Sequence, residues 1–396
     1  MSDIEGDRRR VTIAGGGIAA LEATLALRDL AGDVPIELLT PAAESEYRPL
    51  AVLEPFALGE MPAVSIADFA AEQGASLRRD TLMMVDPDAS SYTTGSGEEH
   101  PFDLLVVAAG ARPVEAVPGS LTFRGHGDQR RVGLLFEDYA AGALNRLAFA
   151  VPRGRAWTLP AYELALMSHV SLAARGVDGV ELAIVTPEAA PLEMFGPEAS
   201  SAIAALLAQV GIEVRTGVTP LRLDHGVLEV EGGEDQKADR AVALPRLLGP
   251  RLSGLPSDAD GFIPTDDHGL VQGMADVYAA GDVCAYPIKQ GGLATQQADA
   301  VAEAIAARLG ADIEPAPYRP VLRGLLMTGA TAQYLESGEG DSAGASAALW
   351  SPQSKVVGRY LLPYFGGRAP AGDLLVDASE GSAVPVEVDL AALPPD

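Results

Sequence analysis

Residues 11–30 constrain this chain more than any other stretch. Val11-Thr12-Ile13 is a short β-branched run, Gly15-Gly16-Gly17-Ile18-Ala19-Ala20 follows at once, and residues 21–30 are rich in Ala and Leu. The pattern predicts a buried strand, a tight turn and a helix. Gly15-x-Gly17-x-x-Ala20 has the spacing of a loop that holds a dinucleotide diphosphate. Gly15 permits the turn, Gly17 removes a side chain from the diphosphate space, and Ala20 lets helix and strand pack closely. Gly16, Ile18 and Ala19 complete the turn, and the N–H groups at the helix start face the ligand.

A length of 396 residues suggests two or three domains, and 48% apolar residues fits a globular chain. No apolar run reaches transmembrane length and the first ten residues contain no signal-like apolar core, so the expectation is a soluble, cytoplasmic protein without an integral membrane segment. The single cysteine, Cys284, excludes an intrachain disulfide, and the five scattered His suggest no metal site. A formal charge of −27 repels nucleic acid and anionic lipid. Only Lys237, Lys289 and Lys355 are lysines.

A second strand is expected over 36–39. Rossmann units usually follow it with an acidic residue for the ribose; here Thr40-Pro41 stands there, with Glu44 at best a substitute. In Tyr47-Arg48-Pro49-Leu50, Arg48 beside a rigid Pro could reach a diphosphate. Residues 82–85, opened by Leu82, and 92–94 read as a β excursion with a turn at Asp86-Pro87-Asp88. A buried strand then ends in Ala108-Ala109-Gly110, where backbone can approach a ligand closely.

A second α/β unit starts near Ala148, with strands over 147–151 and 181–185 and a helix over 160–174. Its second strand also ends in Thr-Pro, Thr186-Pro187, a weak internal repeat. Its connector, Pro152-Arg153-Gly154-Arg155-Ala156-Trp157-Thr158-Leu159-Pro160, has no glycine fingerprint. Farther on, a helix over 200–210, a strand over 212–215, a hairpin over 221–230 and strands over 261–265 and 276–279 lead to Ala280-Gly281-Asp282 and a long helix over 295–309. A β-like segment at 332–335, a mobile acidic loop at 337–346, an amphipathic stretch at 355–365 and a loosely ordered tail from 369 complete the expectation.

Three separated motifs, Gly15-x-Gly17-x-x-Ala20, the strand ending at Gly110, and Ala280-Gly281-Asp282, resemble the pyridine nucleotide–disulfide oxidoreductase superfamily. Tyr47-Arg48-Pro49-Leu50, Tyr162-Glu163-Leu164-Ala165, Lys289-Gln290-Gly291-Gly292 and the stretch from Leu349-Trp350 to Tyr360 look most like sulfide:quinone oxidoreductases and type II NADH dehydrogenases. The resemblance implies an α/β fold of two Rossmann-like domains, the second inserted in the first, plus a C-terminal cap: an FAD-binding domain at 1–125 and 255–315, a degenerate Rossmann-like domain at 126–254, a cap at 316–368 and an acidic tail at 369–396. It implies FAD as cofactor, with Gly281, Asp282, Gln290 and Gly291 joining Gly15 to Ala20, Arg48, Leu82, Ala109 and Gly110 around it. Asp282 matches the carboxylate that holds the flavin ribityl chain.

The same resemblance makes Glu163, Lys289 and Cys284 the catalytic candidates. Glu163 would pass protons beside the flavin, Lys289 would stabilise its anionic reduced form, and Cys284 would make a thiolate contact or covalent link. Trp350 and Tyr360 would wall off the flavin or a quinone-like pocket. The expected reaction is hydride or electron transfer at the isoalloxazine with a small-molecule or quinone-like substrate, and a homodimer is open. Two departures limit the transfer: one cysteine where sulfide oxidation needs at least two, and the Trp157/Pro160 connector in place of a nicotinamide loop. The rivals are an NAD(P)H dehydrogenase with an atypical loop, in which Arg153 and Arg155 grip phosphates, and a low-turnover flavin redox sensor.

The charge and the absence of an apolar span carry a direct expectation. In sedimentation with anionic vesicles the protein should stay in the supernatant; salt-resistant pelleting would overturn this.

Overall fold

The computed structural model describes residues 9–59, 62–329, 355, 356, 358–366 and 383–389. Trp350 and the segments expected at 332–335 and 337–346 lie outside the described residues.

Two five-stranded parallel sheets form the body. In the first, the order is Val277–Ala279, Leu104–Val107, Val11–Ala14, Ile36–Leu39 and Ser76–Arg78. The second repeats it with Leu121–Thr122, Arg240–Ala243, Arg146–Ala150, Glu181–Val185 and Glu213–Arg215. The central strands Val11–Ala14 and Leu104–Val107 are buried throughout, as expected where helices or loops cover both faces. The fold is α/β, with one Rossmann-like unit inserted in the other. The chain passes between sheets through Arg112–Val114 and Arg246–Leu248, which pair antiparallel. Leu121–Thr122, placed by sequence on the first-domain side of residue 125, therefore belongs to the second sheet.

The repeat extends to turn chemistry. The N–H groups of Ala42 and Glu188 each donate to the threonine two residues earlier, Thr40 Oγ1 and Thr186 Oγ1, both at 3.3 Å. The N–H groups of those threonines bond to the ends of the next strands, at Arg78 and Arg215.

Helix Ile18–Ala31 buries Ala19, Ala20, Leu21, Ala23, Ala26 and Leu27. Small residues on both partners let it pack against the long helix Gly291–Arg308, which buries Ala294, Ala298, Ala302 and Ala306. Helix Gln129–Ala140, which sequence reading did not anticipate, buries one face through Val132, Leu135, Phe136 and Tyr139. The strand expected over 261–265 is instead a loop with single bridges from Ile263 to Cys284 and from Thr265 to Val271. The tail is not uniformly loose: Ala383–Asp389 pairs antiparallel along the whole of Val321–Met327.

Candidate cofactor cradle and the buried carboxyl groups around it

The loop after Val11–Ala14 closes because its residues lack side chains. A Cβ on Gly15 would lie 2.2 Å from the Ala108 carbonyl oxygen, and one on Gly16 would lie 2.7 Å from Ile66 Cδ1 and 2.8 Å from Thr40 Oγ1. Gly17 differs: a Cβ there would meet nothing within 4 Å. As N-cap of helix Ile18–Ala31 it offers no capping side chain. The helix start therefore opens onto free space with its N–H groups outward, the geometry an anion requires.

Distant segments converge on this loop. Ala108 presses on Gly15, and the neighbouring Ala109 is exposed, while Gly110 has a left-handed backbone (φ 70°) and nothing within 4 Å of a would-be Cβ. Gly281 (φ 83°) fits between the helices, its would-be Cβ 2.9 Å from Ala19 Cβ and 3.5 Å from Ala294 Cβ, and its N–H donates to Gln297 Oε1. Gly291 fits between Ile18 and Val356. Arg48 is exposed and pairs with Glu46 at 3.5 Å. Leu82 packs in the core with Ala14, Leu39 and Cys284. Glu44 is exposed on the short strand Glu44–Glu46, away from the end of Ile36–Leu39.

Asp282 follows Gly281. Among the described residues no hydrogen-bond donor reaches its carboxylate. Burial pushes its pKa up, and the charges of Lys289 and Arg48 oppose that. An acceptor without a partner, beside an open helix start, suits the hydroxyls and diphosphate of FAD, so the residues present fit this cofactor.

The other expected residues have protein partners. Gln290 caps the long helix, its Oε1 accepting from Leu293 N–H at 2.8 Å while Nε2 donates to the Arg323 carbonyl. Both ends of its amide are thus committed within the protein. Lys289 is buried: its ammonium donates to the Cys284 carbonyl and sits 3.8 Å from the centre of the Phe262 ring. Burial lowers its pKa to about 8, against the opposing pull of Asp282. Arg155 also lies over Phe262, at 4.6 Å, and pairs with Asp258 at 2.6 Å. Cys284 is a core residue, 2% exposed, whose thiol burial pushes up to about 12. That environment keeps the thiol protonated and argues against the expected thiolate contact.

Glu163 is fully buried on helix Leu159–Ala174. Its Oε1 accepts from Lys355 Nζ at 2.5 Å and from Met327 N–H at 2.9 Å, while Oε2 is buried without a partner. Desolvation raises the pKa of Glu163 and lowers that of Lys355, and each charge opposes the other's shift. Sequence alone did not pair these residues, which lie 192 positions apart. The available signal was the scarcity of lysine in an acidic chain.

Two more carboxyl groups went unnoticed. Glu188 accepts from Thr158 Oγ1 (3.0 Å), Tyr162 Oη (2.7 Å) and Thr186 Oγ1 (2.8 Å). Glu22 accepts from the N–H groups of Tyr360 (2.9 Å) and Leu361 (2.6 Å). A carboxylate inside the apolar first turns of the helix, Leu21-Glu22-Ala23, was the available sign.

Two variants follow. Gly17→Glu puts a charged side chain into the open space, so the purified protein should lose its yellow FAD absorbance; full retention would refute the assignment of this loop. Lys355→Met leaves a buried carboxyl unpaired and should cost about 3–5 kcal/mol in denaturant unfolding, with much of it recovered in Glu163→Gln/Lys355→Met.

The family model described as pyridine nucleotide-disulphide oxidoreductase matches residues 163–305. An NADH dehydrogenase-like protein of Mycobacterium tuberculosis is 28% identical over 296 residues, covering 70% of this chain and 73% of the relative. A sulfide-quinone reductase of Aquifex aeolicus is 27% identical over 181 residues, 43% of this chain and 40% of the relative. Among solved structures, the sulfide:quinone oxidoreductase of Aquifex aeolicus superposes with a TM-score of 0.75 at 20% identity, over 81% of this chain and 82% of that one. The ferredoxin reductase for the CYP199A2 system of Rhodopseudomonas palustris gives 0.62 at 19%, over 81% and 82%. The family model over residues 163–305, the curated relatives and the fold point the same way: the chain is similar to the pyridine nucleotide–disulphide oxidoreductases, and it is an FAD-dependent oxidoreductase.

Proposed function

We propose that this oxidoreductase exchanges electrons with a small-molecule or quinone-like substrate and is not reduced by NADH or NADPH. One observation carries the reading: the second Rossmann-like unit has filled its own dinucleotide position. A nicotinamide cofactor needs bare backbone and free donors at the start of helix Leu159–Ala174. Here Pro160 supplies no N–H, and Trp157 stacks edge-on against Phe195 at 5.9 Å. The hydroxyl of Thr158, the residue before the helix, turns inward to Glu188. Glu188, just beyond the end of Glu181–Val185 where a ribose-binding acid would stand, is surrounded by three hydroxyls of its own chain. The two arginines that could have replaced the backbone are engaged, Arg155 with Asp258 and Arg153 with Glu231 at 2.9 Å.

Bound FAD supplies reversible two-electron chemistry at its isoalloxazine. The chain's residues supply the rest. The open helix start at Gly17 and the Asp282 carboxylate hold the cofactor. Lys289 places positive charge behind Asp282. Glu163 and Lys355 hold a proton between Oε1 and Nζ in a buried site, where it can answer a change of charge nearby. Cys284 is the chain's one cysteine, so a paired-cysteine route for sulfide is absent.

A second reading, an NAD(P)H dehydrogenase with an atypical loop, is favoured by the NADH dehydrogenase-like relative. Anaerobic titration separates the two. On our reading NADH binds at the order of millimolar, near −4 kcal/mol, and bleaching of the flavin band is slow and does not saturate at physiological concentrations. Saturable bleaching at micromolar NADH or NADPH, lost in an Arg153→Ala/Arg155→Ala double variant, would establish the dehydrogenase instead.

A further inference from the structure

We propose that Glu22 and Asp299 are positioning residues: they form a two-carboxyl latch that seats the segment 355–366 on the body and so delivers Lys355 to Glu163. Residues 355, 356 and 358–366 cross from the second unit to the first as a strap. At one end Lys355 reaches Glu163. Next, Val356 donates its N–H to Tyr47 Oη at 2.9 Å and packs beside Gly291 and Ile18, at the cofactor cradle. The strap then meets helix Ile18–Ala31. Gly358 permits that approach, since a Cβ there would lie 2.8 Å from Glu22 Oε2. Both oxygens of Glu22 accept backbone N–H groups, from Tyr360 and Leu361. Tyr364 Oη donates to Glu72 at 2.9 Å and closes the far end.

Asp299, on the long helix, faces Glu22 from the other side, with its Oδ1 buried and without a partner. The charged groups around the pair come from three elements. Glu303 lies one turn along the long helix and pairs with Arg359 of the strap at 3.4 Å, and Asp29 of the first helix accepts from Tyr360 Oη at 3.1 Å. Among the described residues Arg359 is the one cation on the pair, and it is largely exposed. Two ionised carboxylates are therefore poorly compensated, and the closed strap favours one shared proton. Burial, then the charge of Glu22, pushes Asp299 up to about 8.

The sign follows from linkage. The closed strap binds a proton that the open strap, with Asp299 in water, releases at an ordinary carboxylate pKa. Closure is most favourable at low pH, weakens as pH rises between those two values, and levels off above about 8. Opening should rise by up to about tenfold per pH unit in that window.

Hydrogen exchange of the intact protein, corrected for the intrinsic pH dependence of exchange, tests this at the amides of Val356, Tyr360 and Leu361, with the strand Val11–Ala14 as internal reference. The expected result is strap protection that falls from pH 5.5 to 8 while the reference stays constant. Asp299→Asn, neutral throughout, should abolish the slope, and Glu22→Gln should lower protection at every pH. A flat wild-type profile, an unchanged slope in Asp299→Asn, or equal loss of protection in the reference strand would overturn the latch.

Discussion

The structure depends on one close approach, the Gly15 backbone against the Ala108 carbonyl oxygen, where a Cβ would lie at 2.2 Å. Because these two strand ends touch, the connection from Val11–Ala14 must turn at once into helix Ile18–Ala31. That helix then starts at the carboxyl edge of the sheet, between Leu104–Val107 and Ile36–Leu39. Ligands of open parallel sheets bind at such a position, where connections leave toward opposite faces. The same small-residue logic extends outward. Gly281 lets the Asp282 loop descend between Ala19 and Ala294, and Gly291 lets the long helix begin against Ile18. Chain segments around residues 15, 108 and 281–291, far apart in sequence, thus meet at one helix start.

The second unit shows what happens when the constraint is relaxed. Its strand order and its Thr-Pro turn repeat the first, down to the same 3.3 Å contact onto the threonine hydroxyl. Its connector, however, begins with Pro152 and carries Trp157 and Pro160. Where the first unit leaves space, the second inserts Thr158, Tyr162 and Glu188, which satisfy one another. The sheet survives because its stability comes from buried parallel strands, which do not depend on the loop's chemistry. On the proposed reading, fold and binding site separate here, as they do in many α/β proteins.

This separation explains what could be read from the sequence. Short-range patterns were legible: the glycine loop, the Ala-rich helices, the hairpin expected over 221–230 and found as Thr219–Asp224 with Val227–Glu231, and the strand ending at Gly110. Each follows from a local period or a local steric need. The unread parts are pairings across long sequence distances. Nothing near Glu163 names Lys355, and nothing near Arg155 names Asp258 or Phe262. Lys289 and Gln290 were legible as residues close to the site, but not as side chains already bonded to the Cys284 and Arg323 carbonyls. The reading of Cys284 leaned toward chemistry because a lone cysteine beside Asp282 invites it; its burial, invisible from the sequence, pushes the thiol pKa up. The strand Ala383–Asp389 was missed because its composition is that of a solvated tail, and its order comes from its partner Val321–Met327.

The acidic excess acquires a structural meaning in the interior. With three lysines in 396 residues, most buried carboxyl groups cannot be balanced by an ammonium. The chain balances them with dipoles: three hydroxyls on Glu188, two backbone N–H groups on Glu22, and one lysine and one N–H on Glu163. Hydrogen bonds to an ionised carboxylate favour the charge, but desolvation in an apolar surround opposes them and here prevails, so all three pKa values are raised. Glu22 and Glu188, held by dipoles alone, lack the opposing ammonium that Glu163 has in Lys355. Two of them, Glu22 and Glu163, also fasten the same segment, one at each side of the cofactor cradle. On the proposed latch, a change in charge at either end acts on the same strap, which both carboxyl groups fasten.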